Sequence, residues 1–208
     1  MFDNIVANEG HKKITVAFIA FLFFVIIGCG LLAFVSFATF AFLIYAYRYK
    51  YIDINALEED KIYAPISGKV TAIDVKDFKK SIYIDVSLCD SHILRSLDNG
   101  NAEVSIIRGV NLPTSSYKSK KLNERATIKY ENSSMKLFSS TCNDTINLIE
   151  KDIFTKGEKI GTFLHGQIIV TLDEKYQSTV SIGEEIQSGI TVIGDVKKNS
   201  WQTFLNTL

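Results

Sequence analysis

Few residues of this chain have both a reactive side chain and a position in the sequence that is typical of a catalytic site. Gly166 and Gln167 open the run GQIIVTL, which is typical of a β-strand that begins at a glycine. A glycine at such a place often marks a point where chemistry needs a bare backbone, so the side chain that follows it decides what can happen there. His92 and His165 are further candidates, although a lone histidine is more often structural or exposed.

The cysteines and the charge balance argue against two broad classes of function. The cysteines lie far apart with no metal-ligand spacing, so no metal site is predicted, and thiols in a reducing compartment are the simplest interpretation. They are Cys29, Cys89 and Cys142. The 23 basic residues balance the 23 acidic ones. A nucleic-acid-binding protein usually carries a basic excess, so nucleic acid is not an expected partner.

One short basic segment, KSKKLNER at 118–125, could contact anionic lipid headgroups. The alternative, a solvated loop, is favoured because short basic runs usually are solvated. Lipid contact is nevertheless a prediction for five side chains, which are His92, Lys118, Lys120, Lys121 and Arg125.

The elements that must position these residues begin with a long apolar run. Residues 14–47 contain no charged side chain, and these 34 residues exceed the ~20 that cross a bilayer core. A signal peptide has an apolar core of roughly 7–15 residues, so this run is not one. As a single helix it would measure about 51 Å, and the glycine-containing sequence GCG at 28–30 divides it into two halves.

Basic residues on both sides of this run predict its topology. Lys12 and Lys13 precede it, and Arg48 and Lys50 follow it. Because cytoplasmic flanks of membrane segments are enriched in lysine and arginine, a helical hairpin with both ends in the cytoplasm explains the two flanks together. One long tilted span, which explains only one flank, is the alternative. The expected location is the bacterial inner membrane, with the main domain on the cytoplasmic face.

The rest of the chain predicts a mainly β domain. β-Branched and aromatic residues alternate with polar ones over short runs, which turn-forming sequences separate. Only INLIEKDI at 146–153 suggests a helix. The predicted organisation is a cytoplasmic N-terminus at 1–13, a membrane hairpin or span at 14–47, a linker at 48–62 and a β domain at 63–208. The predicted strands are KVTAIDVKDF, SIYIDVSL, AEVSIIRGV, RATIKYE, GQIIVTL and STVSIGEE.

Two glycine-containing segments indicate how these strands fold. YAPISGKV at 63–70 combines a proline, which sets an extended backbone, with a glycine that allows a tight reversal. VSIGEEIQSGITVIGDV at 180–196 places glycines between apolar pairs. Both are hammerhead features of biotinyl/lipoyl-like barrels. The predicted fold class is therefore mainly β, a barrel or sandwich of short strands with hammerhead features, behind an N-terminal transmembrane helical hairpin.

Taken in order, several segments resemble the short form of phosphatidylserine decarboxylase, including its archaetidylserine-type relatives. The resemblance covers nearly the whole chain and includes an apolar anchor in the expected place. The segments that carry it are VANEGHKK, YAYRYKYI, YAPISGKV, HILR at 92–95, NER at 123–125, GEKIGTFLHGQIIVTLD and IGEEIQSGITVI.

The resemblance implies a self-processing enzyme. Members of that family cleave themselves between a glycine and a serine, and the serine becomes a pyruvoyl group. Its ketone forms a Schiff base with the amine of phosphatidylserine and accepts electrons during loss of CO₂. An aspartate and a histidine activate the serine hydroxyl. The matching positions here are Ser67 for the aspartate, His92 for the histidine, and Gly166 with Gln167 for the cleavage pair.

The sequence departs from that pattern where the chemistry lies. Gln167 has no hydroxyl or thiol to attack the carbonyl of Gly166, so the pyruvoyl cofactor expected in the family cannot form there. The chain contains no Gly-Ser dipeptide that could substitute. Ser67 replaces the aspartate, and Leu94 replaces an asparagine two residues after His92. The catalytic set is therefore predicted not to be intact.

Three functions from different classes follow from this pattern. The first is a catalytically silent decarboxylase relative that binds membrane phospholipid or a protein partner, either an active paralogue or a second copy of itself. The second is an active decarboxylase with atypical processing. The third is a membrane-fusion-adaptor-like hammerhead protein without lipid chemistry. The missing Gly-Ser pair favours the first function over the second, and the ordered segments favour it over the third.

Overall fold

The computed structural model describes residues 6–48, 51–143, 145–149 and 151–197. Two helices are followed by a domain of short strands that contains one more helix. The helices are α1 (Asn8–Ile27), α2 (Gly30–Ala46) and α3 (Tyr117–Leu122). The strands are β1 (Lys61–Tyr63), β2 (Gly68–Lys76), β3 (Lys79–Val86), β4 (Ile93–Arg95), β5 (Gly100–Asn101), β6 (Glu103–Ile107), β7 (Arg125–Lys129), β8 (Ser133–Ser139), β9 (Ile153–Phe154), β10 (Lys159–Thr162), β11 (Gly166–Leu172), β12 (Tyr176–Ser178), β13 (Glu185–Ile186) and β14 (Val192–Val196).

The helices α1 and α2 form an antiparallel hairpin. Gly28 ends α1 in the left-handed conformation, with a φ of 77°, and the chain reverses there. The rings of Phe18 and Phe40 lie 5.4 Å apart, and those of Phe21 and Phe37 lie 5.5 Å apart. The apolar run is therefore divided at its glycines, as predicted, and does not continue as one long helix.

Most of the hairpin surface is apolar and exposed. The 18-residue segment Gly10–Ile27 has a mean hydropathy of 1.8 and only 6% of it is buried, so α1 is long and apolar enough to cross a membrane. The second helix, α2, is a shorter apolar helix of 17 residues. At 1.5 Å per residue the two helices measure about 30 Å and about 26 Å. These lengths are close to the ~30 Å of a bilayer core.

The β domain is built on one antiparallel sheet of seven strands in the order β13-β2-β3-β11-β8-β7-β6. The central strand β11 pairs with β3 and β8 along all seven of its residues. Its even-numbered residues are buried, whereas Gln167, Ile169 and Thr171 are half-buried on the opposite face. The predicted strand GQIIVTL therefore has the predicted bounds, and its alternation places Gln167 away from the core.

The buried face of this sheet forms the core together with the smaller sheets. The three-stranded sheet β1-β14-β12 contributes Ile62, Ile193 and Tyr176 to the same apolar cluster. The central strands contribute mainly aliphatic side chains that are fully buried, and these include Ile82, Ile84, Ile128, Met135, Leu137, Ile168 and Val170. The two remaining pairs, β4-β10 and β5-β9, complete the domain.

The structure corrects three of the predictions from sequence. The barrel is not closed, because the edge strands β6 and β13 lie at opposite ends of the sheet order and β13 has only two residues. The run STVSIGEE is mostly an irregular connection between β12 and β13 rather than a strand, with a turn at Gly183, whose φ is 91°. The described residues of INLIEKDI form no helix, because Leu148 bridges to Gly161 and Ile153 begins β9. The hammerhead features stay a prediction.

The predicted linker at 48–62 is attached to the domain. Strand β1 begins at Lys61, inside the predicted linker. The buried Lys156 ammonium donates to the backbone carbonyl oxygens of Glu58 (3.3 Å), Glu59 (2.6 Å) and Lys61 (3.0 Å). Desolvation by burial lowers the pKa of Lys156. Residues 1–5, Lys50 of the basic flank and the end of the predicted β domain lie outside the described residues.

Candidate functional site

The candidate processing positions lie near one end of the central sheet. Gly166 begins β11, where it pairs with Val86 at the end of β3 and with Ser139 at the end of β8. Ser67 immediately precedes β2, the other neighbour of β3. His92 is connected to the same end because its Nε2 lies 3.0 Å from the carbonyl oxygen of Ser87. Residues far apart in sequence are thus gathered by the pairing of adjacent strands.

Gly166 is required by packing at its position. Its φ is +147°, which side chains other than glycine rarely adopt. A Cβ there would lie 2.2 Å from the carbonyl oxygen of Phe138 and 2.8 Å from the ring of Phe163. The bare backbone that the sequence suggests is therefore present, and close approach of β8 gives a physical reason for it.

The Gln167 carboxamide is held between two charged side chains. Its Nε2 donates to Asp85 Oδ1 at 2.7 Å, and its Oε1 accepts from Lys120 Nζ at 2.6 Å. Asp85 is directly opposite on β3, whereas Lys120 comes from α3, which lies on the outer face of the sheet. Hydrogen bonds to ionised partners are the stronger kind. The carboxamide therefore uses both of its ends in a polar network.

Beyond Asp85, the strand register places further charged residues directly opposite one another across the sheet. Lys69 of β2 is opposite Asp85, and Glu185 of β13 is opposite Lys69. With Gln167 next to Asp85, the row alternates acidic, basic, acidic and neutral side chains. Directly opposed charges of different sign stabilise a sheet. The position that resembles the cleavage serine thus lies at one end of a row of polar side chains on the outer face.

His92 is buried, with only 1% of its surface exposed, at the junction of the hairpin and the domain. Its Nδ1 lies 2.5 Å from the carbonyl oxygen of Ala46 at the end of α2, and its Nε2 faces Ser87. The neighbouring Ile93 and Leu164 pack in one apolar cluster with Ala46 and Tyr47. Both ring nitrogens of His92 therefore face backbone carbonyls, and the ring connects α2 to the β domain.

A polar cavity of about 440 Å³ adjoins Ser67 at the base of the hairpin. Ser67 Oγ accepts a hydrogen bond from the backbone N–H of Ser188 at 3.0 Å. Arg48 lies at the same cavity, with Nη1 bonded to the carbonyl oxygen of Tyr45 (3.0 Å) and Nη2 to that of Cys89 (3.2 Å). The cavity thus combines a guanidinium with carboxylates and hydroxyls, and its polar lining includes Arg48, Ser67, Asp90, Ser91, Glu185 and Gln187.

The first five residues of the predicted basic segment, 118–122, are helical, and Arg125 at its end begins β7. Ser116 caps α3 with a capping box, which gives this short helix a defined start. Lys121 lies over the ring of Tyr117, with its Nζ 4.7 Å from the centroid, and Arg125 donates to the carbonyl oxygen of Lys121. Lys118 is exposed. Of the four basic candidates, Lys120 is the one with a hydrogen bond to Gln167.

His165, the other histidine candidate, is bound within the loop before β11. Its Nδ1 lies 2.5 Å from the carbonyl oxygen of Thr141, and its backbone N–H donates to Asn143 Oδ1 at 3.2 Å. The backbone N–H of Leu164 donates to the same oxygen at 2.8 Å. In the described part of the chain, no group of three or more histidine, cysteine, aspartate or glutamate residues could hold a metal ion.

Sequence reasoning did not identify three charged residues of this region: Asp85, Asp90 and Glu185. The only signal for Asp85 is the alternation of SIYIDVSL, which places it on the outer face but does not say which strand lies opposite. Asp90 lies in a bend after β3, and Glu185, 95 positions later, begins the edge strand β13. No local sequence pattern therefore connects either residue to Arg48, which lines the same cavity.

A comparison with family models gives an independent assignment. The model of phosphatidylserine decarboxylase matches residues 40–194, which begin in α2 and extend to β14. Comparisons with curated proteins and with solved structures found no match. The matched segment is about three quarters of the chain and includes all the candidate positions. The chain therefore belongs to the phosphatidylserine decarboxylase family.

Proposed function

We propose that this protein is a membrane-anchored, catalytically silent member of its family that binds a phospholipid headgroup. The observation that carries the proposal is the hydrogen-bonded Gln167 after Gly166. Self-processing requires a nucleophilic oxygen or sulfur on that residue to attack the preceding carbonyl carbon. A carboxamide offers neither, so no ester intermediate and no pyruvoyl cofactor would form.

Besides the missing hydroxyl, the surroundings of Gln167 also support the proposal that the protein has no catalytic activity. Lys120 and Asp85 hold the carboxamide in place, each through one hydrogen bond. His92, the residue that would act as the general base, has both ring nitrogens against backbone carbonyls at the hairpin junction. Ser67 has no carboxylate with which to orient an imidazole. None of these groups is poised to remove a proton at residue 167.

The cavity beside Ser67 supports binding of an aminophospholipid headgroup. Arg48 would bind the phosphate oxygens, because a guanidinium matches their geometry. Asp90 and Glu185 would accept hydrogen bonds from a primary ammonium group. Asp90 is held for this by the backbone N–H of Ser87, which donates to its Oδ2 at 2.8 Å. A headgroup with both charges would therefore be complementary to the cavity.

The hairpin supports anchoring in a bilayer with the domain on the cytoplasmic face of the bacterial inner membrane. Its apolar side chains point outward, with exposures such as 84% for Ile26 and 76% for Leu31. Its two ends meet at the domain, where the backbone N–H of Ala7 donates to the carbonyl oxygen of Tyr47. Basic residues lie at these ends, and cytoplasmic flanks of membrane segments are enriched in such residues. The expected protein partner, an active paralogue or a second copy of the chain, stays a prediction.

Intact-mass measurement of the purified full-length chain tests catalytic silence. We expect one species of 23.3 kDa that hydroxylamine does not modify. A genuine Gly-Ser family member, purified and treated in parallel, would show cleavage and a reactive ketone. A fragment comprising residues 167–208, or CO₂ released from labelled phosphatidylserine, would contradict the proposal and support the active decarboxylase with atypical processing.

Headgroup binding is tested with vesicles that differ in one chemical group. Phosphatidylethanolamine presents a primary ammonium, whereas phosphatidylcholine presents a quaternary one that cannot donate hydrogen bonds. We expect phosphatidylethanolamine vesicles to protect the backbone amides around the cavity from hydrogen exchange more strongly than phosphatidylcholine vesicles do. The change Glu185→Gln should reduce this difference, and Glu131→Gln, the same change at an exposed glutamate between β7 and β8, should preserve it. Equal protection by both lipids would argue against the proposal.

A further inference from the structure

The two helices of the hairpin leave an apolar groove between them near their domain ends. Its volume is about 440 Å³, which lies within the ~300–1,000 Å³ of typical ligand sites. Apolar side chains from both helices line most of it, and these include Ile14, Phe18, Phe40 and Ile44. The groove shares no lining residue with the polar cavity beside Ser67.

Contacts at the two ends of the groove explain why space remains between the helices. At the domain end, Gly10 allows the Tyr47 ring to approach so closely that a Cβ on residue 10 would lie 2.5 Å from it. Further along, the large rings of Phe18 and Phe40 meet with their planes tilted by 41° and lie between the two helices. The smaller side chain of Ile14 lies between these two contacts and leaves the groove open.

One polar atom in the groove has no partner among the residues that the structure describes. His11 lines the groove, and its Nε2 is buried without a hydrogen bond. Thr15, the other polar residue of the lining, is satisfied because its Oγ1 donates to the carbonyl oxygen of His11 at 2.8 Å. Buried polar atoms in native proteins are nearly always paired. An oxygen atom of a ligand in the groove would provide that pair after a small rotation of the His11 ring.

Basic side chains lie at the same end of the hairpin as the groove, although they do not line it. Lys12 is exposed beside His11. Lys13 donates from Nζ to Tyr47 Oη at 3.1 Å, and Arg48 lies over the ring of Tyr45 at 4.1 Å from the centroid. Such a cluster attracts the negatively charged phosphate of a lipid. The positive charge at this end of the hairpin and the apolar walls of the groove match the two ends of one amphiphilic molecule.

We propose that this groove holds one acyl chain of a membrane phospholipid, and that His11 Nε2–H donates to an ester or phosphate oxygen of the same lipid. The inference rests on the proposed insertion of the hairpin. From His11 to Phe18 the helix rises about 10 Å, so the polar mouth lies at headgroup level while the chain follows α1 toward the bilayer centre. The lipid would act as a resident ligand of the anchor.

Photo-crosslinking with the full-length protein tests this site. The protein is reconstituted into vesicles of phosphatidylethanolamine and phosphatidylglycerol that contain phosphatidylethanolamine with a diazirine on one acyl chain. We expect crosslinks to concentrate on the groove residues Ile14, Phe18 and Ile44. Val16 and Ile19, which are also exposed on α1 but lie outside the lining, should be labelled much less.

Two tryptophan substitutions provide a matched pair. Thr15→Trp places a large ring in the groove and should abolish most of the labelling there. Thr39→Trp is the same change at an exposed threonine of α2 that also donates to the carbonyl four residues earlier, and it should leave labelling unchanged. His11→Phe keeps the bulk but removes the donor, so labelling should fall by roughly threefold to tenfold, as loss of one hydrogen bond implies.

Flotation of the same vesicles separates failure of this inference from failure of the anchoring proposal. If wild type and Thr15→Trp both float and their groove residues are labelled equally, the proposed lipid site is wrong. Membrane anchoring would still hold in that case. Wild-type protein that does not float with the vesicles would overturn both. Labelling spread evenly over all exposed apolar residues of α1 would also overturn the site, because it would mean ordinary lipid contact.

Discussion

The ammonium of Lys120 and the carboxamide of Gln167 are joined by a hydrogen bond of 2.6 Å across 47 positions of sequence. This bond attaches α3 to the outer face of the central sheet. Because Asp85 binds the other end of the same carboxamide, glutamine can bridge an acid and a base at this point. A serine side chain is too short to reach both. The replacement at residue 167 therefore provides a structural contact in addition to the loss of a nucleophile.

The first prediction concerns the strength of this contact. Lys120→Met should lower the free energy of unfolding by about 0.5–1.5 kcal/mol, because one hydrogen bond between half-buried groups is lost. Lys118→Met, the same change at an exposed position of the same helix, should have little effect. Urea unfolding of both variants measures the difference. Equal effects of the two changes would mean that the contact to Gln167 contributes nothing to stability.

The second prediction concerns the glycine at the start of β11. Gly166→Ala should destabilise the fold by more than about 3 kcal/mol, because backbone strain and a clash with the Phe138 carbonyl act together. Gly183 also has a positive φ, of +91°, but a Cβ there would meet nothing within 4 Å. Gly183→Ala should therefore cost only the strain, about 1–2 kcal/mol. Thermal unfolding that ranks the two variants the other way would refute the packing argument.

The third prediction concerns restoration of the processing residues. Gln167→Ser combined with Ser67→Asp returns a hydroxyl and a carboxylate to the family positions. We expect this double variant to remain uncleaved, because His92 has both ring nitrogens against the carbonyls of Ala46 and Ser87. Gel electrophoresis over several days, with circular dichroism as the check of folding, measures the outcome. Appearance of the 167–208 fragment would mean that His92 can leave the hairpin junction and act as a base.

The fourth prediction is a loss of stability in alkali that depends on Tyr130. Burial raises the pKa of Tyr130 from its ordinary 10.0 to about 12. Between pH 10 and 12 the unfolded chain therefore loses a phenol proton that the folded chain retains, and unfolding becomes more favourable as the pH rises. The contribution is complete below about pH 10, and its loss by pH 12 is on the order of 2–3 kcal/mol.

Comparison with Tyr130→Phe isolates this effect. The variant loses the hydrogen bond from Ser96 Oγ to the phenol oxygen, so it should be less stable at neutral pH. Its stability should then fall less steeply than that of wild type between pH 10 and 12. Part of the alkaline loss should remain, because burial also raises the pKa of Tyr176. Parallel pH profiles of the two proteins would show that Tyr130 does not cause the loss.

The fifth prediction concerns the side of the membrane on which the domain lies. In a background where the native cysteines are replaced by serine, Asn55→Cys and Asn101→Cys provide exposed thiols in the linker and the domain. Neither should react with an impermeant maleimide added to intact spheroplasts, and both should react after permeabilisation. Labelling of either thiol from outside before permeabilisation would place the domain on the other face.

The sequence by itself determined the features that depend on local patterns. The uncharged run with central glycines predicted the hairpin, and alternation predicted β2, β3, β6, β7 and β11 close to their observed bounds. The loss of the nucleophile was also visible, because it needs only the identity of Gln167. These features are local because the helix and strand periods, and the chemistry of one side chain, are expressed within a few neighbouring residues.

Pairing between distant segments was decided only by the tertiary structure. β8 was not predicted, because SSMKLFS begins and ends with serines, which have little preference for strands, although Met135 and Leu137 are fully buried. The open sheet, in place of a barrel, depends on which edges meet. So does the position of Asp85 opposite Gln167, since a shift of one residue in register would turn either side chain to the other face.

His92 illustrates the same limit for the candidate site. Its sequence context resembles that of a catalytic histidine, yet its Nδ1 lies against the carbonyl of Ala46, 46 positions earlier in the chain. The end of α2 presents carbonyl groups that lack partners within the helix, and a buried imidazole beside that end supplies a donor. Only the docking of the hairpin on the domain brings these two groups together, so only the folded chain determines what this histidine does.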